Sequence, residues 1–235
     1  ATSGTSLVSV GNSALYVSGN SESLSRTPGS TPTSTTIASG SLWIYKCTNG
    51  ASHTFMSAGS GTAWMQFKFD GNDNLYWQIY ASSAEDLGLI TDAEYRDIGW
   101  YHIAWWYDSS PSTPGASDVG FVVNGERITS FSTENYPSQN RIFYFNNNSH
   151  VNYIGSYINS ANYTDGYIAE FVSLDGQKIT DYTTYVDVSD DGLYITPKSS
   201  AEIKALTFGN EGCYLDNVTN AQTDASGEGN NFTNN

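Results

Sequence analysis

Tyr144, Asn146, Asn147 and Asn148, followed by Tyr157, Asn159, Asn162 and Tyr163, combine the two residue types that hold a sugar. An aromatic ring stacks on the apolar face of a pyranose, and amides exchange hydrogen bonds with its hydroxyls. Tyr76, Trp77 and Tyr80 offer a second set of rings. A plainer reading stands beside this one, in which strand aromatics fill a core and Asn-rich runs are ordinary loops. Trp77 fits that plainer reading better than it fits a binding surface.

Oxygen-rich clusters raise a different chemistry. Calcium accepts carboxylates, amide and backbone carbonyls with loose geometry. Asp70, Asn72 and Asp73 form one such set, and Asp216, Asp224 and Asn230 another. Asp and Asn also close tight turns without an ion. That structural reading is the stronger for each cluster, so calcium is the only cofactor the residues leave open.

Catalytic patterns are weak. Glycoside cleavage needs two carboxylates roughly 5–9.5 Å apart. Glu85-Asp86 and Asp92-Glu94 lie in loop-like or helix-like sequence, and Glu170, whose nearest candidate partner is Asp175, lacks an acidic residue two or four positions away. No Gly-x-Ser-x-Gly elbow occurs, and His53, His102 and His150 lack zinc spacing. His102 reads as a hydrogen-bonded strand histidine. Cys47 and Cys213 match no metal or redox spacing and read as buried free thiols, with one disulfide as the alternative. A non-enzyme is expected.

The elements that must position these groups are short strands. Trp100 to Asp108 alternates Tyr101, Ile103, Trp105 and Tyr107 with Trp100, His102, Ala104 and Trp106. Both sets are apolar enough to be buried, which predicts a central strand. Ala63–Asp70 and Leu75–Tyr80 flank a turn, and Val119–Val123 runs through Asn124-Gly125 toward Arg127–Phe131. Asn-Gly tolerates the positive φ angles of a type I′ hairpin. Ser41–Cys47, Arg141–Phe145, Asn152–Ser156, Gly166–Leu174 and Gly192–Thr196 are further expected strands. Helical turns are expected at Thr91–Ile98 and Ser199–Leu206, an exposed loop from Asp108 to Asp118, and a surface arm at residues 20–38. No composition break divides residues 1–235, which predicts one all-β sandwich domain.

Charge limits the partners. With 24 acidic and 9 basic residues the net charge is −15. Nucleic acid and anionic membranes both require a basic footprint, so neither is expected. Apolar stretches are strand-sized, which predicts no transmembrane helix, and Ala1–Ser9 lacks the features of a signal peptide.

An ordered series of segments then narrows the reading. It runs ALYVSGNSESLSRTPGS (Ala14 to Ser30), SLWIYK (Ser41 to Lys46), WYHIAWWYDSS (Trp100 to Ser110), VVNGERITSFSTENYPSQN (Val122 to Asn140) and YIGS (Tyr153 to Ser156). DGYIAEFVSLDGQKIT (Asp165 to Thr180) and GCYLDNVTNAQTDASGEGNNFT (Gly212 to Thr233) follow. The series resembles the laminin-G-like, concanavalin A-like domains of bacteriophage tail and other virion proteins, especially marine ones.

The resemblance implies a jelly-roll β-sandwich of two antiparallel sheets on a virion surface, sometimes with one calcium ion. It implies a host surface glycan or another virion protein as partner, and a homo-oligomer, a trimer in a fibre or spike. A purely architectural role, as capsid decoration or tail fibre, is the alternative; glycan hydrolysis is a third reading. One departure stands out: a segment like TDASGEGNNFT usually precedes the strand resembling Ala14–Val17, and here it is Thr223–Thr233, within the closing segment 212–235. Either the domain is permuted or another module begins there.

Overall fold

The computed structural model of the protein describes residues 15–18, 22–158, 161–216 and 220–235. In chain order the first strands are β1 (Leu15–Ser18), β2 (Leu24–Arg26), β3 (Ile37–Lys46), β4 (His53–Ser60), β5 (Ala63–Phe69) and β6 (Asn74–Ala81). Next come β7 (Ala84–Glu94), β8 (Gly99–Asp108), β9 (Val119–Val123), β10 (Glu126–Arg127), β11 (Phe131–Asn135) and β12 (Val151–Ile154). Then follow β13 (Asp165–Asp175), β14 (Val186–Val188), β15 (Ile195–Pro197), β16 (Cys213–Leu215) and β17 (Thr233–Asn234). A 3-10 turn at Tyr182–Thr184 and a five-residue helix, α1 (Ser200–Lys204), complete the description.

The strands form two large antiparallel sheets, as the alternation predicts. One has the order β1-β13-β3-β8-β9-β10, with β16 also on β13; the other runs β11-β7-β6-β5-β4-β12-β2-β17. β1 and β16 share one side of β13, the first against Asp165–Ile168 and the second against Phe171–Ser173. Between the sheets, Leu42, Ile44, Ile103, Trp105 and Phe121 meet Met65, Phe67, Leu75, Trp77 and Ile79. Phe67 and Phe121 pack across the gap at 5.3 Å between ring centroids.

The two sheets differ in what covers their outer faces. On the seven-stranded sheet, Trp43, Ala104, Trp106, Ala169 and Val172 form a second apolar cluster with Tyr185, Val186, Ile203 and Phe208. The segment after β13 therefore lies over this face, which explains why both sides of β8 are apolar. Helix α1 anchors there through Ile203 and is capped by Ser199 and Glu202 in a reciprocal capping box. The short helix expected at Ser199–Leu206 is thus present.

The Asn124-Gly125 turn has φ of 50° and 83° and joins β9 to β10 with Val123 opposite Glu126, as expected for a type I′ hairpin. The returning strand is shorter than expected: β10 stops at Arg127, and β11 joins the other sheet. Thr91–Glu94 is strand rather than helical turn, because β7 pairs with both β6 and β11. Arg141–Phe145 is not a strand. It is a loop whose Phe143 packs on Trp77, Trp105 and Tyr107 between the sheets.

The region expected as a surface arm is tied into the fold. Leu24–Arg26 is β2, between β12 and β17. Asp175 accepts the backbone N–H groups of Thr33 (2.6 Å) and Ser34 (3.0 Å), and buried Arg26 pairs with buried Glu211 at 2.8 Å. In the closing segment β16 joins the first sheet beside β13, while β17 pairs with β2 at the edge of the second. The closing strand therefore lies beside β2 and not beside β1. Cys213 is buried and Cys47 half-buried, and both are free thiols. Burial pushes the Cys213 thiol up to about 12.

Candidate functional site

The outer face of the eight-stranded sheet carries three cross-strand rows built by the β5–β6 hairpin. Met65, Phe67 and Phe69 point to the core, so the pleat sends Trp64, Gln66 and Lys68 outward. Leu75, Trp77 and Ile79 do the same for Tyr76, Gln78 and Tyr80. The register then aligns Trp64 with Tyr80, Gln66 with Gln78 and Lys68 with Tyr76. Asp70 fixes the turn by accepting the N–H groups of Asn72 at 2.8 Å and Asn74 at 3.0 Å.

In the first row Trp64 and Tyr80 stack at 4.3 Å with planes 9° apart. Tyr157 meets Trp64 edge-on at 5.2 Å. All three rings stay partly exposed. The middle row runs Tyr153, Ser57, Gln66, Gln78, Gly88 across five strands. Both glutamines are buried beneath the flanking rows.

In the third row the Lys68 ammonium lies over the Tyr76 ring, 5.5 Å from its centroid. The Tyr76 hydroxyl donates to Glu85 Oε2 at 2.5 Å. Gly88 makes room for that carboxylate, since a Cβ there would lie 2.3 Å from Glu85 Oε1. Burial, followed by the Glu85 hydrogen bond and charge, raises the Tyr76 pKa, which keeps the phenol protonated. Burial also lowers the pKa of Lys68, against the opposing charge of Asp70.

The sugar-binding set expected from the sequence is divided by the fold. Tyr144, Asn146 and Asn147 are buried and cannot offer a platform. The Asn146 amide donates to Ser173 Oγ at 2.9 Å, and the Tyr144 ring packs on His150 at 4.5 Å. The cause is the 141–147 segment, which enters the end of the sandwich as a loop where a strand running into an Asn-rich loop was expected. Asn148 and Asn162 are exposed and Tyr163 is half-buried, whereas Asn159 lies outside the described residues. Tyr157 alone of the set stands in the ring cluster. Of the second ring set, Tyr76 and Tyr80 are on the outer face and Trp77 is core.

Trp64 was not anticipated as a surface ring. Its signal is present in AWMQFKF and NLYWQIYA, whose alternation and shared hairpin turn together fix the pairing of Trp64 with Tyr80.

The oxygen-rich clusters are engaged by protein donors. Buried Lys46 places its Nζ on Asp73 Oδ1 at 2.5 Å and on the Tyr95 carbonyl at 2.7 Å. Asp216 accepts from Lys204 at 3.1 Å and Ser200 at 3.3 Å. Asp224 accepts the N–H groups of Tyr214 (2.9 Å), Ser226 (3.0 Å) and Asn230 (2.8 Å), and the Asn230 amide donates to the Gly212 carbonyl at 2.8 Å. Among the described residues, no three His, Cys, Asp or Glu side chains converge on a point that could hold a metal ion.

The acidic pairs weighed for catalysis are also engaged locally. Asp86 pairs with Arg141 at 2.7 Å, Asp92 accepts from Ser130 at 2.5 Å, and Glu94 pairs with Arg96 at 2.8 Å. Glu170 sits at a bulge in β13 with φ of 50° and accepts from the Tyr214 hydroxyl. Burial raises its pKa first and nearby Asp216 adds to the shift, a neighbour the linear sequence does not reveal. His102 is fully buried beside Trp43, and among the described residues neither ring nitrogen has a hydrogen-bond partner, contrary to the expected hydrogen-bonded histidine.

The family model described as the concanavalin A-like lectin/glucanases superfamily, laminin-G type, matches residues 12–177. The chain belongs to this superfamily. The match takes in the strands from β1 to β13 and stops before the segment that covers the seven-stranded sheet. Among curated proteins, none has a sequence that matches the chain.

Several solved structures are similar to this superfamily member. Tailspike protein 2 of bacteriophage CBA120, in its enzymatically active domain, is 15% identical over 73% of this chain and 26% of that one, with a TM-score of 0.49. The CBM40 of the Ruminococcus gnavus IT-sialidase is 12% identical over 77% and 96%, at 0.47. The SAP-like pentraxin of Limulus polyphemus is 13% identical over 68% and 78%, at 0.42.

Proposed function

We propose that this protein is a non-catalytic glycan-binding module displayed on a virion surface, where it attaches the particle to host glycans. The observation that carries the reading is the Trp64–Tyr80 stack with Tyr157 at its edge, beside a row of paired glutamines. A pyranose stacks on the exposed ring faces, and the hydroxyls of half-buried Tyr80 and Tyr157 meet its hydroxyl groups. Membership of a lectin/glucanase superfamily supports the sugar. The virion setting is supported by the ordered likeness to phage virion domains described from the sequence. Several copies, as in a trimeric fibre or spike, would turn weak single-site binding into firm attachment.

A glycan array with wild-type protein and the variants Trp64→Ala and Tyr80→Ala tests this. Wild type binds a subset of glycans, and each variant loses roughly tenfold or more in affinity, as hot-spot aromatics do. A wild type that binds no glycan, or a Trp64→Ala variant that binds as well as wild type, overturns it. Glycans that bind should be recovered uncut after incubation; cleavage that vanishes in Glu170→Gln would instead favour a hydrolase.

A further inference from the structure

The chain has nine lysine and arginine residues against 24 acids, and seven of the nine side chains form ion pairs with carboxylates. Among the described residues, Lys68 and Arg127 are the two that do not. Arg127 donates to the Ala116 carbonyl at 2.6 Å and stacks on Trp106. The Lys68 ammonium has only the Tyr76 ring beneath it. In a protein with so large an excess of acid, an unpaired, half-buried lysine is conspicuous by its position: it stands on the face that carries the Trp64–Tyr80 stack.

Spacing relates the two features. Trp64 and Lys68 lie four residues apart on one strand, about 13 Å at the usual rise per residue. Two to three pyranose units laid along β5 cover that span. A sugar on Trp64 therefore places a neighbouring unit over the buried glutamines and beside Lys68. A neutral unit there leaves the ammonium with the charge of Asp70 acting from beyond ion-pair distance and no direct carboxylate partner. A carboxylate supplies one, and the partly dehydrated setting strengthens such a charge-assisted hydrogen bond.

We propose that this face selects oligosaccharides that contain a carboxylate sugar, a uronic or sialic acid, with the carboxylate held by Lys68 Nζ and an adjacent unit stacked on Trp64. The inference rests on the glycan-binding reading above and adds the class of sugar. The net charge of −15 favours short acidic ligands, or ones in which acidic units are spaced by neutral ones, over densely charged polymers.

Isothermal titration with trigalacturonate, 3′-sialyllactose and cellotriose separates the outcomes, using wild type, Lys68→Gln and Lys68→Arg. At least one acidic sugar binds wild type more tightly than cellotriose does. Lys68→Gln weakens that acidic ligand roughly tenfold, Lys68→Arg retains most of the affinity, and added salt weakens wild-type binding. Equal or tighter binding of cellotriose overturns the acidic-sugar inference and leaves the module a neutral-glycan binder; acidic binding untouched by Lys68→Gln overturns it by showing that Lys68 does not hold the carboxylate. Silence with all three sugars overturns it too, and the array then decides whether the glycan reading falls with it. Circular dichroism of each variant confirms that the comparison is made between folded proteins.

Discussion

The Lys46 ammonium is buried against the Asp73 carboxylate and the Tyr95 carbonyl, with Phe69 beneath it at 5.1 Å. The two side chains are 0% and 4% exposed, so neither charge has water as an alternative partner. Lys46 ends β3 in the first sheet and Asp73 lies in the β5–β6 turn of the second, so the pair ties one end of the sandwich together. Removing Lys46 leaves Asp73 with the Gly50 N–H at 3.0 Å and the exposed Arg96 guanidinium at 3.6 Å, a weaker set of partners. Lys46→Met should lower unfolding free energy by about 3 kcal/mol, the lower end of the usual cost of breaking a buried pair. Urea denaturation measures it, and a loss below 1 kcal/mol would show that the pair is dispensable.

The same pair sets an acid limit. Burial opposes ionisation of Asp73, but the bonds from Lys46 and Gly50 and the Lys46 charge outweigh it and hold its pKa below the ordinary 3.8. A carboxylate depressed in this way contributes stability above its unfolded value and loses it as pH falls through the folded one. The urea midpoint of wild type should therefore drop below pH 4 by more than that of Asp73→Asn. Parallel curves for the two proteins would rule this out.

Because an ammonium already neutralises Asp73, and backbone donors take Oδ1 of Asp70 and both oxygens of Asp224, calcium should add nothing to the fold. Melting temperatures in calcium at about 1000 times a micromolar Kd and in excess EDTA should agree within about 1 °C, since a ligand of the native state stabilises it by RT ln(1 + [L]/Kd) and so raises Tm. A calcium-dependent rise of several degrees would reveal an ion site at one of these loops.

Much of the fold was legible because strand period is short and local. The alternation in Trp100–Asp108 identified a strand buried on both sides, and Asn124-Gly125 marked its hairpin through backbone angles alone. Segments were misread where tertiary contacts decide. Nothing local distinguishes Arg141–Phe145 from a strand, yet Phe143 leaves pairing to fill the space among Trp77, Trp105 and Tyr107. That substitution of packing for pairing also buried Tyr144, Asn146 and Asn147 and removed them from any binding surface. The surface that remains was half visible: Tyr80 and Tyr157 were noticed as rings, but their convergence on Trp64 needs register and a loop from far along the chain.

His102 predicts a pH dependence of opposite location to that of Asp73. Burial alone drives its pKa from 6.5 to about 3, so the folded protein holds it neutral while the unfolded chain protonates. Stability is full above pH 6.5 and is lost progressively as pH falls toward 3, by up to about 1.4 kcal/mol per unit from this group. His53 and His150 are also lowered by burial and share the direction. His102→Leu fits an apolar cluster of Trp43, Ala104 and Trp106 and removes the largest of the three contributions. Urea midpoints from pH 7 to pH 4 should fall less steeply in this variant. Identical slopes would mean that His102 gains a partner, such as an enclosed water, that the protein groups around it do not supply.

Glu170 gives the converse sign. Its carboxyl is raised above 4.5, by burial first and by Asp216, against the Tyr214 hydrogen bond and the Lys204 charge. A raised acid contributes stability below its unfolded pKa and loses it as pH climbs through the folded value, so at pH 7 the ionised side chain is a net burden on the fold. Solvent screens part of this, because the side chain is not fully enclosed. Glu170→Gln keeps an oxygen to accept from Tyr214 while discarding the charge, and should be as stable as wild type or more so at pH 7, with the difference vanishing near pH 4. Clear destabilisation at pH 7 would instead mean that the carboxylate is held by a charge partner stronger than Lys204, and that the bulge at Glu170 exists to present it.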